Sequence, residues 1–341
     1  MVEVGRVVRG HDAVSSNDHE LVRGWHVVMT GGGGFIGSHL LARMIGAGMH
    51  VTLLGPDVGP SRYTASLVAK GVVRFFRCDA AFAEKDGLPR IVESADVVVL
   101  LGYTMPRSSS PAGRLVDELN RNVAPTVRLL QAALRGTPHV MFASSVSVYG
   151  APTSSPTRET DAPRPLTPYA IATLSCERAI AELCTAAGVS ASILRYSSVY
   201  GPGEAAQRTI PNFIRAVLSG TQPPVDGDGL DEHDYIHVAD AVDATMSALR
   251  RRADGIYNVA TGIGTTTIEL ANLIVGLAGG LAAPVRRVGP ETETSRARLI
   301  LDTNRMSSEL ECAPRHALPD GLRDEIGWFR AQFGGNLKTA A

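Results

Sequence analysis

The chain has 341 residues, of which 44% are hydrophobic and 20% are charged, a balance that is typical of a folded protein with a substantial core. Its formal net charge of −1 lacks the basic excess by which proteins bind nucleic acid or an anionic membrane surface, so neither partner is predicted. Four scattered cysteines and unclustered histidines predict no metal site and no disulfide framework.

The chain begins with a stretch, residues 1–24, that we expect to be an extension outside the folded domain. Charged residues interrupt it, so it contains no apolar run of the kind found in secretory signals. The most apolar later segment, residues 268–285, contains Glu269 and is broken at Gly279. It therefore predicts a packed helix rather than a membrane span, and a cytoplasmic location is expected.

The first predicted elements form a β-α-β unit between residues 25 and 57. A short apolar strand leads into a glycine-rich turn, then into a helix with an apolar face, and a second strand follows. Glycines spaced three apart between a strand and a helix let the backbone approach a pyrophosphate, which binds the amides at the helix N-terminus. The sequence therefore predicts a dinucleotide site at Gly31, Gly34 and Gly37.

Strands and helices continue to alternate up to residue 196. Apolar runs predict strands near residues 72–76, 96–101, 139–144 and 190–196, with helical stretches at 115–134 and 168–187. This alternation predicts an α/β fold, with a Rossmann doubly wound parallel sheet over residues 25–196. The looser remainder predicts a smaller C-terminal substrate-binding lobe, residues 197–333, partly interleaved with the first domain and followed by a tail at 334–341.

Several motifs occur in one order along the chain: TGGGGFIGSHL, SSVSVYG, LRYSSVYGPG, DYIHVADAV and YNVATG. On these motifs, from about Trp25 to Phe333, the chain resembles the extended short-chain dehydrogenase/reductases, the NAD-dependent epimerase/dehydratase family. That family includes UDP-galactose 4-epimerase and nucleotide-sugar 4-ketoreductases. The resemblance implies an NAD(P)-dependent enzyme that acts on a nucleotide sugar. It specifies the fold more closely than the reaction, because one fold supports many reactions.

The resemblance also implies roles for individual residues. It gives catalytic positions to Ser145, which would hydrogen-bond the reacting oxygen, and to Tyr169, which would donate or accept a proton, with Thr173 four residues later. The cofactor is expected to contact Gly31, Gly34, Phe35, Ile36, Gly37, Arg62, Asp79, Leu101 and Asn122. The nucleotide-sugar substrate is expected to contact Ser198, Asn212, His233 and Arg298. A homodimer, formed through the helices that follow Asn122 and Tyr169, is also expected.

The residue after the second strand bears on the choice of cofactor. NAD-specific relatives usually present an acidic side chain to the adenosine ribose there, but this chain has Gly55, and its next acid is Asp57. Arg62 follows a few residues later and could attract a 2′-phosphate. We therefore predict NAD(P)(H) as the cofactor, with NADP(H) slightly favoured.

Thr173 occupies the place of a lysine whose positive charge, in the family, lowers the pKa of the catalytic tyrosine. Threonine carries no charge, and a tyrosine of ordinary pKa, about 10, is a phenolate in roughly one molecule in a thousand at neutral pH. Oxidation of an alcohol needs a base, whereas reduction of a ketone needs an acid, which a protonated tyrosine is. The sequence thus favours a 4-ketoreductase of an NDP-4-keto-(deoxy)sugar.

Two alternatives stay open. One is an NDP-sugar 4-epimerase in which another cation replaces the lysine, and the other is a catalytically inactive member that only binds cofactor. The presence of both Ser145 and Tyr169 argues against the inactive member. A dehydratase is not expected, because elimination of water needs an acid–base pair just after the catalytic serine, where this chain has Val146 and Ser147.

Overall fold

The computed structural model of the chain describes residues 21–78, 88–105, 107–108, 110–204, 208–279, 285–286 and 298–333. Most of the predicted N-terminal extension, the predicted tail at 334–341 and Asp79 lie outside the described residues, so these stay predictions. Within the described residues, no helix has both the length and the apolar character needed to cross a bilayer.

A seven-stranded parallel sheet forms the centre of the larger unit. Its strands are β1 (His26–Thr30), β2 (His50–Gly55), β3 (Arg74–Arg77), β4 (Val97–Leu100), β5 (His139–Ser145), β6 (Ser190–Tyr196) and β10 (Gly255–Val259). They lie in the order β10-β6-β5-β4-β1-β2-β3. The strand order therefore reverses between β1 and β4, which is where ligands bind in open sheets of this kind. The predicted Rossmann α/β fold is confirmed.

Helices cover both faces of this sheet, so its strands are buried on both sides and read as nearly continuous apolar runs. The helices of the larger unit are α1 (Phe35–Gly46), α2 (Arg62–Ala69), α3 (Leu88–Glu93), α4 (Pro111–Glu118), α5 (Ala124–Ala133), α6 (Pro168–Ala187) and α8 (Val238–Arg251). One core layer lies under α1 and α8, and contains Leu40, Met44 and Val242. The other lies under α5 and α6, and contains Leu130 and Ile180.

The helical stretch predicted at residues 115–134 is interrupted. A π-helical turn, Leu119–Val123, joins α4 to α5. Pro125 lies in the first turn of α5 and has no amide to donate to the carbonyl four residues earlier, so the regular α-helical ladder breaks here. Single π turns of this type are frequent at functional sites. The turn contains Asn122, one of the predicted cofactor contacts.

Most of the remaining elements form a smaller lobe. They are β7 (Ser198–Tyr200), α7 (Thr209–Leu218), β8 (Pro224–Val225), β9 (Glu232–His237), β11 (Gly264–Thr266), α9 (Thr267–Leu277), β12 (Val285–Arg286), β13 (Arg298–Leu299) and α11 (Leu318–Phe333). One further helix, α10 (Asn304–Glu309), packs instead against β10 of the large sheet. Strands β11, β9 and β13 form one sheet, with β7 also paired to β9. The chain enters this lobe at β7 and later returns to the large sheet as β10, so the two units interleave. The predicted boundary at residue 196 stays a prediction.

Two buried carboxyl groups lie near each other in the smaller lobe. Glu325 on α11 is 0% exposed and Glu204, after β7, is 3% exposed. Burial raises the pKa of Glu204 to about 7 against the opposing charge of Arg208. Burial, followed by the charge of Glu204, raises the pKa of Glu325 as well. The Gly201 amide points toward Glu325, but no described residue gives its carboxylate oxygens a hydrogen bond of good geometry.

We expect Glu325→Gln to raise the melting temperature at pH 8 and to leave it nearly unchanged at pH 5. A carboxyl with a raised folded-state pKa contributes stability that is present below its unfolded pKa, about 4.3, and that is lost as the pH rises through the folded pKa. At pH 8 the unfolded chain ionises this carboxyl freely whereas burial opposes its ionisation in the folded chain, so the neutral amide should add about 1–3 kcal/mol to the free energy of unfolding, measured by thermal melts. Asp324→Asn, at the exposed neighbour, is the control, and an equal gain at both pH values would contradict the expectation.

Candidate active site

Two adjoining cavities lie at the carboxyl ends of β1, β2, β4 and β5. The first cavity has a volume of about 510 Å³ and the second about 390 Å³. Both are lined by Gly31, Gly34, Leu101 and Asn122, so together they form one cleft. A cleft of this size at the point where the strand order reverses suits a dinucleotide together with a substrate.

The wall of the cleft between β1 and α1 carries almost no side chains. Gly31 has φ +74°, and a Cβ there would lie 2.7 Å from the carbonyl of Leu101. A Cβ at Gly37 would lie 2.1 Å from the Gly31 carbonyl oxygen, so the first turn of α1 packs directly on the loop. Gly34 is the N-cap of α1, which begins at Phe35, and offers no side chain to the first amides. This cradle fits the pyrophosphate of a dinucleotide.

The loop after β2 forms the far end of the first cavity. Gly55 and Asp57 both line it, and the Asp57 Oδ1 accepts a hydrogen bond of 2.8 Å from the Gly59 amide. Arg62, the first residue of α2, is exposed and does not line the cavity. An acid rather than the predicted arginine therefore borders the cleft at this end. Asp79, another predicted cofactor contact, lies outside the described residues.

Asn122 fastens the segment after β4 to the π turn. Its Oδ1 accepts a hydrogen bond of 2.7 Å from the Thr104 amide, and its Nδ2 donates to the Thr104 carbonyl at 3.0 Å. The same Nδ2 donates to Glu118 Oε2 at 2.7 Å. Leu101 begins the fastened segment, and Ile36 lines the second cavity opposite it. Direct contact between these residues and a cofactor stays a prediction.

The second cavity brings together the three predicted catalytic residues, Ser145, Tyr169 and Thr173. Ser145 ends β5, and its Oγ accepts a hydrogen bond of 3.2 Å from the Ser147 amide. Tyr169 lies in the first turn of α6. Thr173 is 7% exposed, and its Oγ1 donates to the Tyr169 carbonyl oxygen at 2.9 Å. The hydroxyl proton of Thr173 is thus directed into the helix rather than into the cavity.

A carboxylate is the buried charge in the wall that holds Tyr169. Glu118 is 1% exposed and accepts a hydrogen bond of 2.5 Å from the hydroxyl of Tyr103. Burial raises the pKa of Tyr103, and the bond to Glu118 raises it further. Among the described residues that line the second cavity, Arg208 is the one cationic side chain, and its Nη1 lies 3.3 Å from Glu204 Oε1.

A buried ion pair supports the strand end that carries Ser145. Glu177 on α6 accepts hydrogen bonds of 2.9 and 2.7 Å from Arg195 on β6, and both side chains are 2% exposed. The Ser144 hydroxyl donates to the same carboxylate. These bonds fix α6 against β5 and β6, and therefore fix the position of Tyr169 relative to Ser145.

None of the four predicted substrate contacts is among the described residues that line this cleft. Asn212 is exposed on α7, and Arg298 on β13 has its Nη2 3.3 Å from Glu232 Oε2. His233 is half-buried on β9, where burial lowers its pKa. Ser198 starts β7 between two residues of the cavity wall without lining it. In the part of the chain that the structure describes, none of the four lines either cavity, so their binding role stays a prediction.

Reasoning from the sequence missed three residues that line the second cavity: Tyr103, Glu118 and Arg208. Glu118 precedes Asn122 by four positions, a spacing that places two side chains on one helical face. The bond between Tyr103 and Glu118, however, is a tertiary contact across 15 positions, and no pattern in the sequence reports it.

A doubly wound sheet with a glycine cradle, joined to a cavity that holds a serine and a tyrosine, defines a dinucleotide-binding protein of the short-chain dehydrogenase/reductase class. A family model described as the NAD dependent epimerase/dehydratase family matches residues 27–260. The chain belongs to this family, and the resemblance inferred from its motifs is confirmed.

Individual relatives are similar over nearly their whole length. The chain is 32% identical to a UDP-glucose 4-epimerase of Mycolicibacterium smegmatis, over 89% of this chain and 98% of that protein. It is 30% identical to a dTDP-glucose 4,6-dehydratase of Streptomyces griseus, over 89% and 94%. Among solved structures, MoeE5 in complex with UDP-glucose and NAD has a TM-score of 0.77 at 30% identity, covering 90% of this chain and 99% of that one.

We expect Gly37→Ala to weaken binding of the reduced nicotinamide cofactor roughly tenfold or more, because the new Cβ would displace the Gly31 loop at a typical strain of about 1–3 kcal/mol. Gly46→Ala, at the other end of α1, is the matched control, since a Cβ there meets nothing within 4 Å. That variant should bind normally and gain up to about 1 kcal/mol of stability. Cofactor fluorescence titration measures the binding, and equal affinities of the two variants would rule out the cradle.

Proposed function

We propose that the chain is a nicotinamide-dependent oxidoreductase of nucleotide sugars that reduces the 4-keto group of an NDP-4-keto-(deoxy)sugar. The names of its relatives, among them a UDP-glucose 4-epimerase and a dTDP-glucose 4,6-dehydratase, support the substrate class. Another relative is a UDP-N-acetyl-alpha-D-glucosaminuronate decarboxylase. Because relatives this similar differ in their reactions, the reaction has to be argued from the residues of this site.

The observation that carries the proposal is the charge around Tyr169. Thr173 supplies no cation and turns its hydroxyl proton to the Tyr169 carbonyl. Glu118 places a buried carboxylate in the same wall, and such a group does not stabilise a neighbouring phenolate. A neutral phenol is an acid, which is what reduction of a ketone requires.

The roles of the two hydroxyl groups follow from this. When bound, the reduced nicotinamide supplies the hydride that adds to the carbonyl carbon. The Tyr169 hydroxyl donates its proton to the carbonyl oxygen, and the Ser145 hydroxyl donates a hydrogen bond to the same oxygen as negative charge develops on it. Tyr169 then recovers a proton from solvent. The pair Glu177 and Arg195 holds Ser145 and Tyr169 at a fixed separation.

The 4-epimerase is the second candidate, and Arg208 is the observation that favours it. An epimerase first oxidises its substrate, so it needs a base, and a guanidinium in the second cavity could stabilise a phenolate. Arg208 is, however, paired with Glu204, which reduces its effect on any third group. The inactive alternative gains no support, because Ser145 and Tyr169 line the same cavity.

The cofactor is argued from the loop after β2. The preference for NADP(H) predicted from Gly55 has weak support, since Arg62 does not line the first cavity, whereas Asp57 does. A carboxylate near the adenosine ribose repels a 2′-phosphate. We therefore infer that the chain uses NAD(H) at least as well as NADP(H), in keeping with its family.

The expected homodimer stays a prediction. Val116 on α4, Leu119 in the π turn and Ile171 on α6 are exposed by 55%, 39% and 37%, and apolar side chains exposed together favour an interface between copies. The mass of the chain in solution, measured by sedimentation, checks it.

Asp57→Asn should raise the affinity for NADP(H) relative to NAD(H) by roughly three- to tenfold, because it removes a partly screened repulsion of about 1 kcal/mol. Glu182→Gln, an exposed acid on α6, is the control and should change neither affinity. Fluorescence titration of both cofactors gives the ratio. A wild type that prefers NADP(H) and loses this preference in Arg62→Ala would instead support the expectation from the sequence.

Tyr169→Phe should lower the rate of ketone reduction by roughly 10²–10⁴, the usual loss for a positioned acid. Thr173→Lys should move the pH profiles of reduction and of alcohol oxidation to lower pH by about 1–3 units, as expected for an ammonium beside a phenol. Thr173→Met, which has a similar length and no charge, is the control and should move neither profile. The assay follows the nicotinamide absorbance with a dTDP- or UDP-4-keto sugar and with the corresponding alcohol.

Two results would change the assignment. Full activity of Tyr169→Phe would remove Tyr169 from the mechanism. A wild-type chain that binds cofactor tightly but turns over no 4-keto or 4-hydroxy nucleotide sugar would favour the inactive member of the family. Faster epimerisation than reduction, lost in Arg208→Gln, would favour the epimerase.

A further inference from the structure

Tyr103 is the residue of the cleft wall that the proposed chemistry leaves unexplained. It follows β4 by three positions, and its side chain lines both the first and the second cavity. Tyr103 is 43% exposed, yet both its hydroxyl group and its ring contact a neighbouring side chain. A large aromatic side chain at this point restricts the space of the cleft, so its position has consequences for whatever binds there.

The hydroxyl end of Tyr103 is fixed by a closed set of hydrogen bonds. It donates to Glu118 Oε1 at 2.5 Å, and the other oxygen of that carboxylate accepts from Asn122 Nδ2 at 2.7 Å. Asn122 in turn binds the amide and the carbonyl of Thr104, the residue after Tyr103. The side chain of Tyr103 and the backbone of the next residue are therefore anchored to α4 and the π turn that continues it, and hydrogen bonds to a charged group are the stronger ones.

The ring of Tyr103 meets the ring of Tyr169. Their centroids lie 5.1 Å apart and their planes are 89° to each other, an edge-to-face pair. Such pairs contribute about 0.5–1.5 kcal/mol beyond the area that they bury. The Thr173 hydroxyl donates its hydrogen bond to the backbone carbonyl of Tyr169.

We propose that Tyr103, anchored by Glu118, is a positioning residue that orients the Tyr169 ring in this chain, whose position 173 holds threonine. The proposal requires no contact between Tyr103 and the substrate. It joins Tyr103 to Thr173, which stands where the family has a lysine, as two parts of one arrangement around Tyr169. For its kinetic readout the inference rests on the proposed function.

The arrangement persists over the pH range in which proteins are usually assayed. The ionisable groups that bear on Tyr103 are Glu118, Tyr169 and Arg114, of which only Arg114 lowers its pKa. Burial and Glu118 outweigh Arg114, so Tyr103 keeps the proton that it donates. The orienting effect should accordingly appear as a constant factor in the rate and not as a new inflection in the pH profile.

A double-mutant cycle tests whether Tyr103 acts through Tyr169. Tyr103→Leu should lower kcat for ketone reduction roughly tenfold, the order expected for loss of the ring pair and its anchor, with the KM for cofactor within about twofold. In the Tyr169→Phe background, which has already lost the acid, the same change should lower kcat less than about twofold. Tyr103→Phe keeps the ring and should retain most of the wild-type kcat. Tyr63→Leu, a half-buried tyrosine on α2, is the matched control and should leave kcat unchanged.

A second measurement needs no substrate, so it separates this inference from the proposed function. The chain has eight tyrosines, few enough to assign the ring resonances of a ¹³Cζ-tyrosine sample by single substitutions. Tyr103→Leu and Tyr103→Phe should shift or broaden the Tyr169 resonance, and Tyr63→Leu should not. An unchanged Tyr169 resonance, or equal losses of kcat from Tyr103→Leu in both backgrounds, would overturn the proposal. A shifted resonance in a chain that reduces no ketone would support the proposal and contradict the function.

Discussion

The cleft exists because the loop between β1 and α1 lies against the end of β4 with no side chain between them. A Cβ on Gly31 would stand 2.7 Å from the Leu101 carbonyl, and the Thr30 Oγ1 accepts a hydrogen bond of 2.9 Å from the Gly102 amide. β1 and β4 are neighbours at the point where the strand order reverses. One contact thus sets both the cradle for a pyrophosphate and the direction in which the chain leaves β4 toward Tyr103.

The path of the chain after β4 brings Tyr103 to Glu118, and this contact places a carboxylate in the wall of the second cavity. Burial of one ion costs several kcal/mol in proteins even after relaxation, and the two charge-assisted bonds from Tyr103 and Asn122 to Glu118 are worth about 1.5–3 kcal/mol each. These two bonds offset much of that cost, so the carboxylate is tolerated in the buried wall. Asn122 lies in a π turn, and its side-chain amide binds both Thr104 and Glu118. It therefore joins the backbone after β4 to the wall of the second cavity.

Patterns along the sequence predicted the parts of the structure that depend on interactions between residues close together in the chain. Glycine spacing and apolar runs predicted the β1–α1 turn and the parallel sheet, and the motifs predicted that Ser145 and Tyr169 would share one cavity. The π turn was not predicted, because the apolar period of residues 115–134 outweighed Pro125, the residue at which the regular α-helical ladder breaks. Tyr103 and Glu118 meet only through the fold. Substrate contacts inferred by resemblance, such as Arg298, depend on how loops of the smaller lobe pack, and position along the chain does not specify that packing.

The missing lysine has a limited meaning for the direction of the reaction. A catalyst lowers one barrier shared by both directions, so residue 173 cannot set the equilibrium, and it sets instead the pH range in which each direction runs. Of the guanidinium groups near this wall, Arg208 is paired with Glu204 and Arg195 with Glu177. Thr173, one helical turn after Tyr169, adds no positive charge that would stabilise a phenolate. Ketone reduction consumes a proton and begins from the neutral phenol. It is therefore the direction that needs no additional cation beside Tyr169.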